Sequence, residues 1–121
     1  MLDISTTDPS EACRAFAVRW LGLLADNDFA GAEALIDVNE SGISFAESLP
    51  FPNGFTYGRP EVAEDWRLYL RPPHKSRHGE IHGCDFEVPF AESEFRPMIA
   101  RFRMRRVGDQ LEVRFQGLVP S

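Results

Sequence analysis

Three histidines recur at four-residue intervals in the second half of the chain, at His74, His78 and His82. Cys84 and Asp85 are close by, and on a helix this spacing would stack the imidazoles along one face, where they could ligate zinc. A Pro-Pro pair precedes the histidines and two glycines interrupt them, so a helix is not expected there. On a strand, histidines four residues apart would lie roughly 13 Å from one another. The spacing therefore predicts loop histidines, with His82 partly buried, and neither a metal site nor a bound cofactor.

Acid–base chemistry has its own candidate set: the carboxylate of Asp65, the phenol of Tyr69 and the imidazole of His82. Burial in an apolar pocket raises the pKa of a carboxylate, which can then act as a general base. Asp65 also lies early in a predicted helix, where a solvated carboxylate stabilises the helix dipole. The residues alone leave both interpretations open, and with them the question whether the chain is an enzyme.

Arginines alternate with apolar residues near the end of the chain, at Arg101, Arg103 and Arg105. A type II′ turn at Gly108-Asp109 would join this strand to the next one in a hairpin. The opposed pairs are then Val107 with Gln110, Met104 with Val113, Phe102 with Phe115, Arg105 with Glu112, and Arg103 with Arg114. In this register the apolar pairs share the core face, because a slip by one residue would move arginines into the core.

The outer face of this hairpin carries Arg101, Arg103, Arg105 and Arg114. It is either an ordinary solvated sheet face with mixed charges or a docking face. A docking face would bind an acidic protein partner or a second copy of the chain in a homodimer. The like charges opposed at Arg103 and Arg114 favour docking, because such a pair needs an offsetting neighbour.

The chain has 121 residues, of which 43% are hydrophobic, as is typical of one globular domain spanning residues 1–121. Its net charge of −6 is unevenly distributed. Twelve acidic residues against three arginines up to Asp65 give −9, and seven acidic against ten basic residues beyond it give +3. The acidic total and the lack of a nucleic-acid-binding motif argue against nucleic acid as a partner.

The N-terminal residues do not resemble a signal peptide. The most apolar stretch, residues 15–25, is too short to span a membrane and contains Arg19. A cytoplasmic location is therefore expected, without membrane association. In that compartment Cys13 and Cys84 are predicted to be buried free thiols, with a disulfide between them as the alternative.

The secondary structure that would position the candidate residues is predicted to begin with helices and to end with strands. A first helix is expected after Asp8 and a second after Asp28, since both aspartates are suited to cap a helix. Residues 38–58 are rich in glycine, proline and aromatics and are interpreted as a long loop over the core. A third helix is expected from Pro60 to the Pro72-Pro73 pair, with an inner face of Val62, Trp66, Tyr69 and Leu70. Strands follow over residues 82–90, 98–105 and 111–116.

This order of elements resembles the NTF2-like superfamily, whose α+β fold is also called cystatin-like. Residues 26–37, DNDFAGAEALID, look like the family's turn from its first helix into its second. Residues 57–62, YGRPEV, are similar to its Gly-Arg-x-Glu-aliphatic entry into the third helix. The resemblance implies N-terminal helices packed on a curved antiparallel sheet that ends in a hairpin, with a cone-shaped pocket between helices and sheet.

The family includes ketosteroid isomerases, dehydratases and polyketide cyclases, as well as transport factors and non-catalytic binding or immunity proteins. In such a pocket the candidate ligand-binding residues are Trp20, Tyr57, Trp66 and Phe86, and the candidate catalytic groups are Asp65, Tyr69 and His82. Apart from His82, the inward strand positions are Phe, Val, Met and Cys, so the catalytic residues of the enzymes do not carry over. We therefore expect a non-catalytic protein that binds a protein partner, as immunity or accessory proteins do, or a small apolar ligand. The alternative is a small isomerase- or dehydratase-like enzyme with an acid–base pocket.

Overall fold

The computed structural model describes residues 1–50, 57–58, 67–90 and 98–120. These residues form an α+β fold in which helices of the N-terminal half pack on a curved, open sheet. This confirms the predicted fold class. The elements in chain order are β1 (Leu2–Asp3), α1 (Pro9–Ala25), α2 (Phe29–Ala34), β2 (Val38–Asn39), α3 (Phe45–Ser48), β3 (Leu68–Ser76), β4 (Gly79–Val88), β5 (Met98–Val107) and β6 (Gln110–Pro120).

Helix α1 begins where the sequence predicts it. The carboxylate of Asp8 accepts the backbone N–H of Glu11 at 3.0 Å, and Pro9 occupies the first helical position, where its missing N–H costs nothing. The predicted apolar stripe is buried, namely Cys13, Phe16, Ala17, Trp20, Leu21 and Leu24. Because this stripe packs on the sheet, α1 covers the face that we call the inner face.

Helix α2 is also confirmed. Asp28 accepts the backbone N–H of Gly31 at 2.8 Å and so caps the helix. Before it, Asn27 has a φ of +62°, in the left-handed region that asparagine tolerates better than most residues. Ala32 is buried, and Phe29, Leu35 and Ile36 are partly buried against the core.

The described part of the predicted loop contains two short elements. Strand β2 pairs with β6 in parallel, and α3 begins after Ser44, whose hydroxyl accepts the backbone N–H of Glu47 at 3.2 Å. Phe45, the first residue of α3, is 3% exposed and extends the core. Residues 51–56 of the predicted loop lie outside the described residues.

The predicted third helix is wrong where the structure describes it. Tyr69 and Leu70 lie on strand β3, which pairs with β4 in antiparallel fashion, and the start of the predicted helix falls outside the described residues. Leu68 and Leu70 pack against the core while Tyr69 is exposed, which is the two-residue period of a strand. The Pro72-Pro73 pair is tolerated because β3 is the last strand of the described sheet and its register shifts there.

The sheet has the order β1-β6-β5-β4-β3, with β2 paired to β6 as well. The β5–β6 hairpin has the predicted register, including Met104 opposite Val113 and Phe102 opposite Phe115. A type II′ turn requires a positive φ at its first central residue and a negative φ at its second. Gly108 has a φ of +62° and Asp109 has no positive φ, so the two residues fit this turn. The register prediction is therefore confirmed.

The core lies between α1 and the inner face of the sheet. Its centre is Trp20, which is fully buried and lies 5.3 Å from Phe102 and 5.7 Å from Phe86, measured between ring centroids. Cys13 and Cys84 are buried free thiols, as predicted, with the Cys84 sulfur 4.0 Å from the carbonyl oxygen of Cys13. Among the described residues no helix has the length and apolar character needed to cross a membrane.

Candidate functional site

Three of the four residues predicted to border a ligand pocket belong to the buried core. Trp20 and Phe86 are fully buried and pack edge to face against each other. Tyr57 is 4% exposed and lies against Phe90, with ring centroids 5.9 Å apart. Trp66, the fourth predicted pocket residue, lies outside the described residues. The three described residues therefore contribute their rings to a packed core, in which such contacts stabilise the fold.

The predicted acid–base groups are not brought together where the structure describes them. Tyr69 is opposite Asp85 on the outer face and is 48% exposed. His82 is on the inner face, is 9% exposed, and has its Nε2 atom 3.2 Å from a carboxylate oxygen of Glu80. Tyr69 and His82 thus lie on opposite faces of the sheet, because they occupy positions of opposite parity in paired strands. Asp65 falls outside the described residues.

The three histidines lie at three different places in the fold. His74 lies on β3 beside the outer face, His78 lies in the turn after it, and His82 points to the inner face. No group of three potential metal ligands is found in the described parts of the chain.

The outer face of the sheet carries the arginines that the hairpin register assigned to it. A further arginine, on β3, was missed because its segment was expected to be helical. The alternation Leu-Tyr-Leu-Arg over residues 68–71 was the available signal for a strand. We define the outer arginine cluster as Arg71, Arg101, Arg103, Arg105 and Arg114.

Asp85 binds two members of the outer arginine cluster. Its Oδ2 atom accepts a hydrogen bond from Nη2 of Arg71 at 2.6 Å and lies 3.6 Å from Nε of Arg101. Asp85 is only 8% exposed. A carboxylate this poorly hydrated needs charged partners, and the two guanidinium groups supply them.

Two glutamates bind the other end of the cluster. Glu112 accepts hydrogen bonds from Nε of Arg105 at 3.1 Å and from Nη1 of Arg114 at 2.6 Å. Glu40, just after β2, accepts two more from Arg114, both at 2.9 Å. This paired, bidentate contact is the geometry that a guanidinium group favours. The glutamates therefore offset the repulsion between the opposed Arg103 and Arg114, for which the sequence pattern alone offers no compensation.

These contacts shift the acidity of the groups that make them. The guanidinium of Arg114 holds the pKa of Glu40 below its usual range, with a further hydrogen bond from Gln116. Arg114, and then Arg105, lower the pKa of Glu112 in the same way. In return Glu40 and Glu112 raise the pKa of Arg114. All three groups are therefore charged at neutral pH.

Acid is expected to destabilise the fold partly through this pair of glutamates. Because their pKa values are lower in the folded state, the stability they contribute is present above the carboxyl pKa of the unfolded chain, about 4.3. It is lost as the pH falls through the lower folded values. Both side chains reach solvent, so the loss should be only about 1 kcal/mol.

Urea unfolding of the wild type and Arg114→Gln between neutral pH and about pH 3 measures this contribution. The variant should lose less stability on acidification than the wild type. Arg77→Gln, which removes an exposed arginine in the β3–β4 turn, should behave like the wild type. Parallel acid profiles for the wild type and Arg114→Gln would contradict the assignment.

Arg103 differs from the other members of the cluster. In the part of the chain that the structure describes, it makes no hydrogen bond or ion pair, although its charge reaches Glu40 and lowers the pKa of that carboxyl. The cluster thus opposes five guanidinium groups to three carboxylates, those of Asp85, Glu112 and Glu40. Five minus three leaves an excess of two positive charges in the cluster.

A hollow of about 150 Å³ lies beside Arg103. Its polar lining consists of Arg71, His74, Asp85, Arg101, Arg103 and Gln116. Gly83 on β4 also borders it, and a side chain there would meet the side chain of Arg71 at 3.0 to 3.1 Å. We call this space the Gly83 hollow, because the missing side chain helps to keep it open.

A second hollow lies between α2 and α3 and is mainly apolar, with a volume of about 480 Å³. Its lining is Phe29, Ala30, Glu33, Phe45, Ala46, Leu49 and Pro50. Its apolar lining suits the expected small apolar ligand. Two of its lining residues contact predicted pocket residues, since the rings of Phe45 and Trp20 lie 6.1 Å apart and those of Phe29 and Tyr57 5.9 Å apart, between centroids.

The geometry of the described residues therefore points to the outer face of the sheet rather than to the space between the helices and the sheet. The site is built from β3, β4, β5 and β6, whose register aligns the arginines, and from Glu40 after β2. Comparison with protein-family models, with curated proteins and with solved structures finds no match to this chain.

Proposed function

We propose that this chain is an NTF2-like domain that acts by binding rather than by catalysis, in the manner of an immunity or accessory protein. Its partner is a protein with an acidic surface, which docks on the outer arginine cluster. The observation that carries the proposal is Arg103, a guanidinium group without a carboxylate partner among the described residues, in a cluster whose other members are paired.

The charge balance of the cluster supports an acidic partner. An excess of two positive charges attracts acidic groups and raises the rate of encounter with them. Arginine is also enriched in protein interfaces, where it often supplies a large part of the binding energy. The paired arginines are already oriented by Asp85, Glu112 and Glu40, so a partner would meet side chains that have lost part of their freedom.

A second copy of the chain is a less suitable occupant. A twofold homodimer through the outer face would set the same patch against itself, so that the unpaired Arg103 of each copy would face a surface with the same positive excess. The catalytic alternative also has little support, since Tyr69 and His82 lie on opposite faces.

The proposal is tested with the wild-type chain, Arg103→Glu and Arg14→Glu as baits in a cell extract of the source organism. Arg14→Glu makes the same charge change on the exposed side of α1, away from the outer face. A protein captured by the wild type is then identified and purified, and its affinity for each bait is measured by titration calorimetry at two salt concentrations. Arg103→Glu should weaken binding at least about tenfold, and Arg14→Glu should not.

Affinity for the captured protein should also fall with rising salt, because long-range charge attraction is screened. A partner bound equally well by Arg103→Glu would overturn the proposal, as would the capture of no protein that depends on Arg103. Sedimentation of the purified chain covers the remaining case. If the wild-type chain self-associates and Arg103→Glu does not, the outer face binds a second copy of the chain and not an acidic partner.

A further inference from the structure

The Gly83 hollow contains hydrogen-bond donors that the described protein groups do not use. Arg103 makes no hydrogen bond among the described residues, and the contact of Arg101 with Asp85, at 3.6 Å, is an ion pair rather than a hydrogen bond. Toward the described residues Arg71 donates from one nitrogen, to the same carboxylate. Each guanidinium group has five N–H donors and no acceptor, so most of this donor capacity is left for solvent or for a ligand in the hollow.

The charges around the hollow are also incomplete. Three guanidinium groups line it, with Asp85 as the one carboxylate among its described lining residues. Three minus one leaves an excess of two positive charges in a space of about 150 Å³. A planar guanidinium group binds carboxylate and phosphate oxygens through paired hydrogen bonds, and such charge-assisted bonds are stronger than neutral ones.

The hollow is held in shape by its surroundings. Asp85, which is 8% exposed, fixes the guanidinium of Arg71 through a 2.6 Å hydrogen bond. Gln116 is anchored by donating from Nε2 to Glu40 at 2.6 Å. Gly83 supplies backbone without a side chain, and a methyl group at that position would meet Arg71 closer than ordinary contact allows.

From these observations we infer that the Gly83 hollow is a binding site for one oxyanion group, a carboxylate or a phosphate. The inference goes beyond the proposed function, because a free small anion would occupy the site without any protein partner. If the proposed function also holds, an acidic side chain of the partner would present the same chemistry to the same arginines.

The direct test follows the arginine Nε–H signals of the isotope-labelled chain by nuclear magnetic resonance. Inorganic phosphate and glutarate are titrated separately, with sodium chloride adjusted to keep the ionic strength constant. At least one of them should shift the signals of Arg103 and Arg101 saturably, with a dissociation constant on the order of 1 mM. Saturation by glutarate alone identifies a carboxylate site, saturation by phosphate alone a phosphate site, and saturation by both a general oxyanion site.

Two variants separate the role of charge from the role of shape. Arg103→Gln should weaken anion binding at least about tenfold, because it removes a charge-assisted donor. Gly83→Val should also weaken binding although every charge is kept, because its side chain would fill the hollow and displace Arg71. Arg14→Gln, on the other side of the molecule, is the matched control and should bind as the wild type does.

The inference is overturned if neither anion produces saturable shifts, or if Arg103→Gln binds as tightly as the wild type. Arg103 is exposed, so this variant is expected to fold and the test does not depend on Gly83→Val. The outcome is separate from that of the proposed function. If small anions do not bind but Arg103→Glu still weakens the partner complex, the outer arginine cluster is a docking face and the Gly83 hollow is not an anion site.

Discussion

Replacing Trp20 with alanine is expected to lower the free energy of unfolding by about 3–5 kcal/mol. The side chain is fully buried, and four phenylalanine rings lie within 5.3 to 6.2 Å of it between centroids, those of Phe45, Phe86, Phe102 and Phe115. These rings come from α3, β4, β5 and β6, so Trp20 joins α1 to most of the sheet. Alanine would leave a cavity that rigid neighbouring rings fill poorly.

Val18→Ala is the matched control for this prediction. Val18 lies on the same helix but is 45% exposed, so its truncation should change stability by less than about 0.5 kcal/mol. Urea unfolding followed by far-ultraviolet circular dichroism measures both, since the Trp20 variant alters the fluorescence signal. Equal stabilities for the two variants would show that Trp20 is not the centre of the core.

A milder substitution tests the surroundings of the indole. Among the described residues the buried Nε1–H of Trp20 has no hydrogen-bond acceptor. Trp20→Phe gives up that donor and keeps most of the apolar volume. It should therefore cost much less stability than Trp20→Ala.

Replacing Gly117 with alanine is expected to cost about 1–3 kcal/mol of stability. Gly117 has a φ of +130°, a backbone conformation that only glycine adopts without strain. The nearest atom to an added methyl group would be Cβ of Ser41 at 3.6 Å, an ordinary contact. The cost is therefore one of backbone strain and not of a steric clash.

Gly117 lies where the β5–β6 register shifts, so that Gln116 is the extra residue on β6. Gln116 lines the Gly83 hollow and donates a hydrogen bond to Glu40, which links this bulge in β6 to the candidate site. Gly58→Ala is the control, because Gly58 lacks a positive φ and an added methyl group would meet no atom of the described residues closer than 3.4 Å. Thermal or urea unfolding should show a clear loss for Gly117→Ala only; equal losses would refute the strain argument.

The local sequence was sufficient for the elements whose signals are short-range. Asp8 and Asp28 cap α1 and α2 because an aspartate side chain reaches the backbone N–H groups of the next turn. The β5–β6 register followed from one turn, since Gly108 fixes its geometry and a slip by one residue would bury arginines. That register alone predicted that Arg101, Arg103, Arg105 and Arg114 share a face.

The sequence was not sufficient where distant segments decide the structure. Tyr69 and Leu70 fit both a helical and a strand pattern, and pairing with β4 selected the strand. That pairing moved Tyr69 to the outer face, away from His82, and brought Arg71 to Asp85. Trp20 and Phe86, predicted to border a pocket, pack edge to face against each other, a contact that only the folded chain creates.

The arginine-rich face was therefore determined by the sequence itself, because alternation along a strand and a tight turn are local properties. Its charge balance was decided by the tertiary structure. Glu40 lies 74 residues from Arg114 along the chain, and Asp85 lies 14 residues from Arg71, so only folding brings these carboxylates to their guanidinium partners. The same folding leaves Arg103 without one among the described residues, beside a hollow that no local pattern predicts.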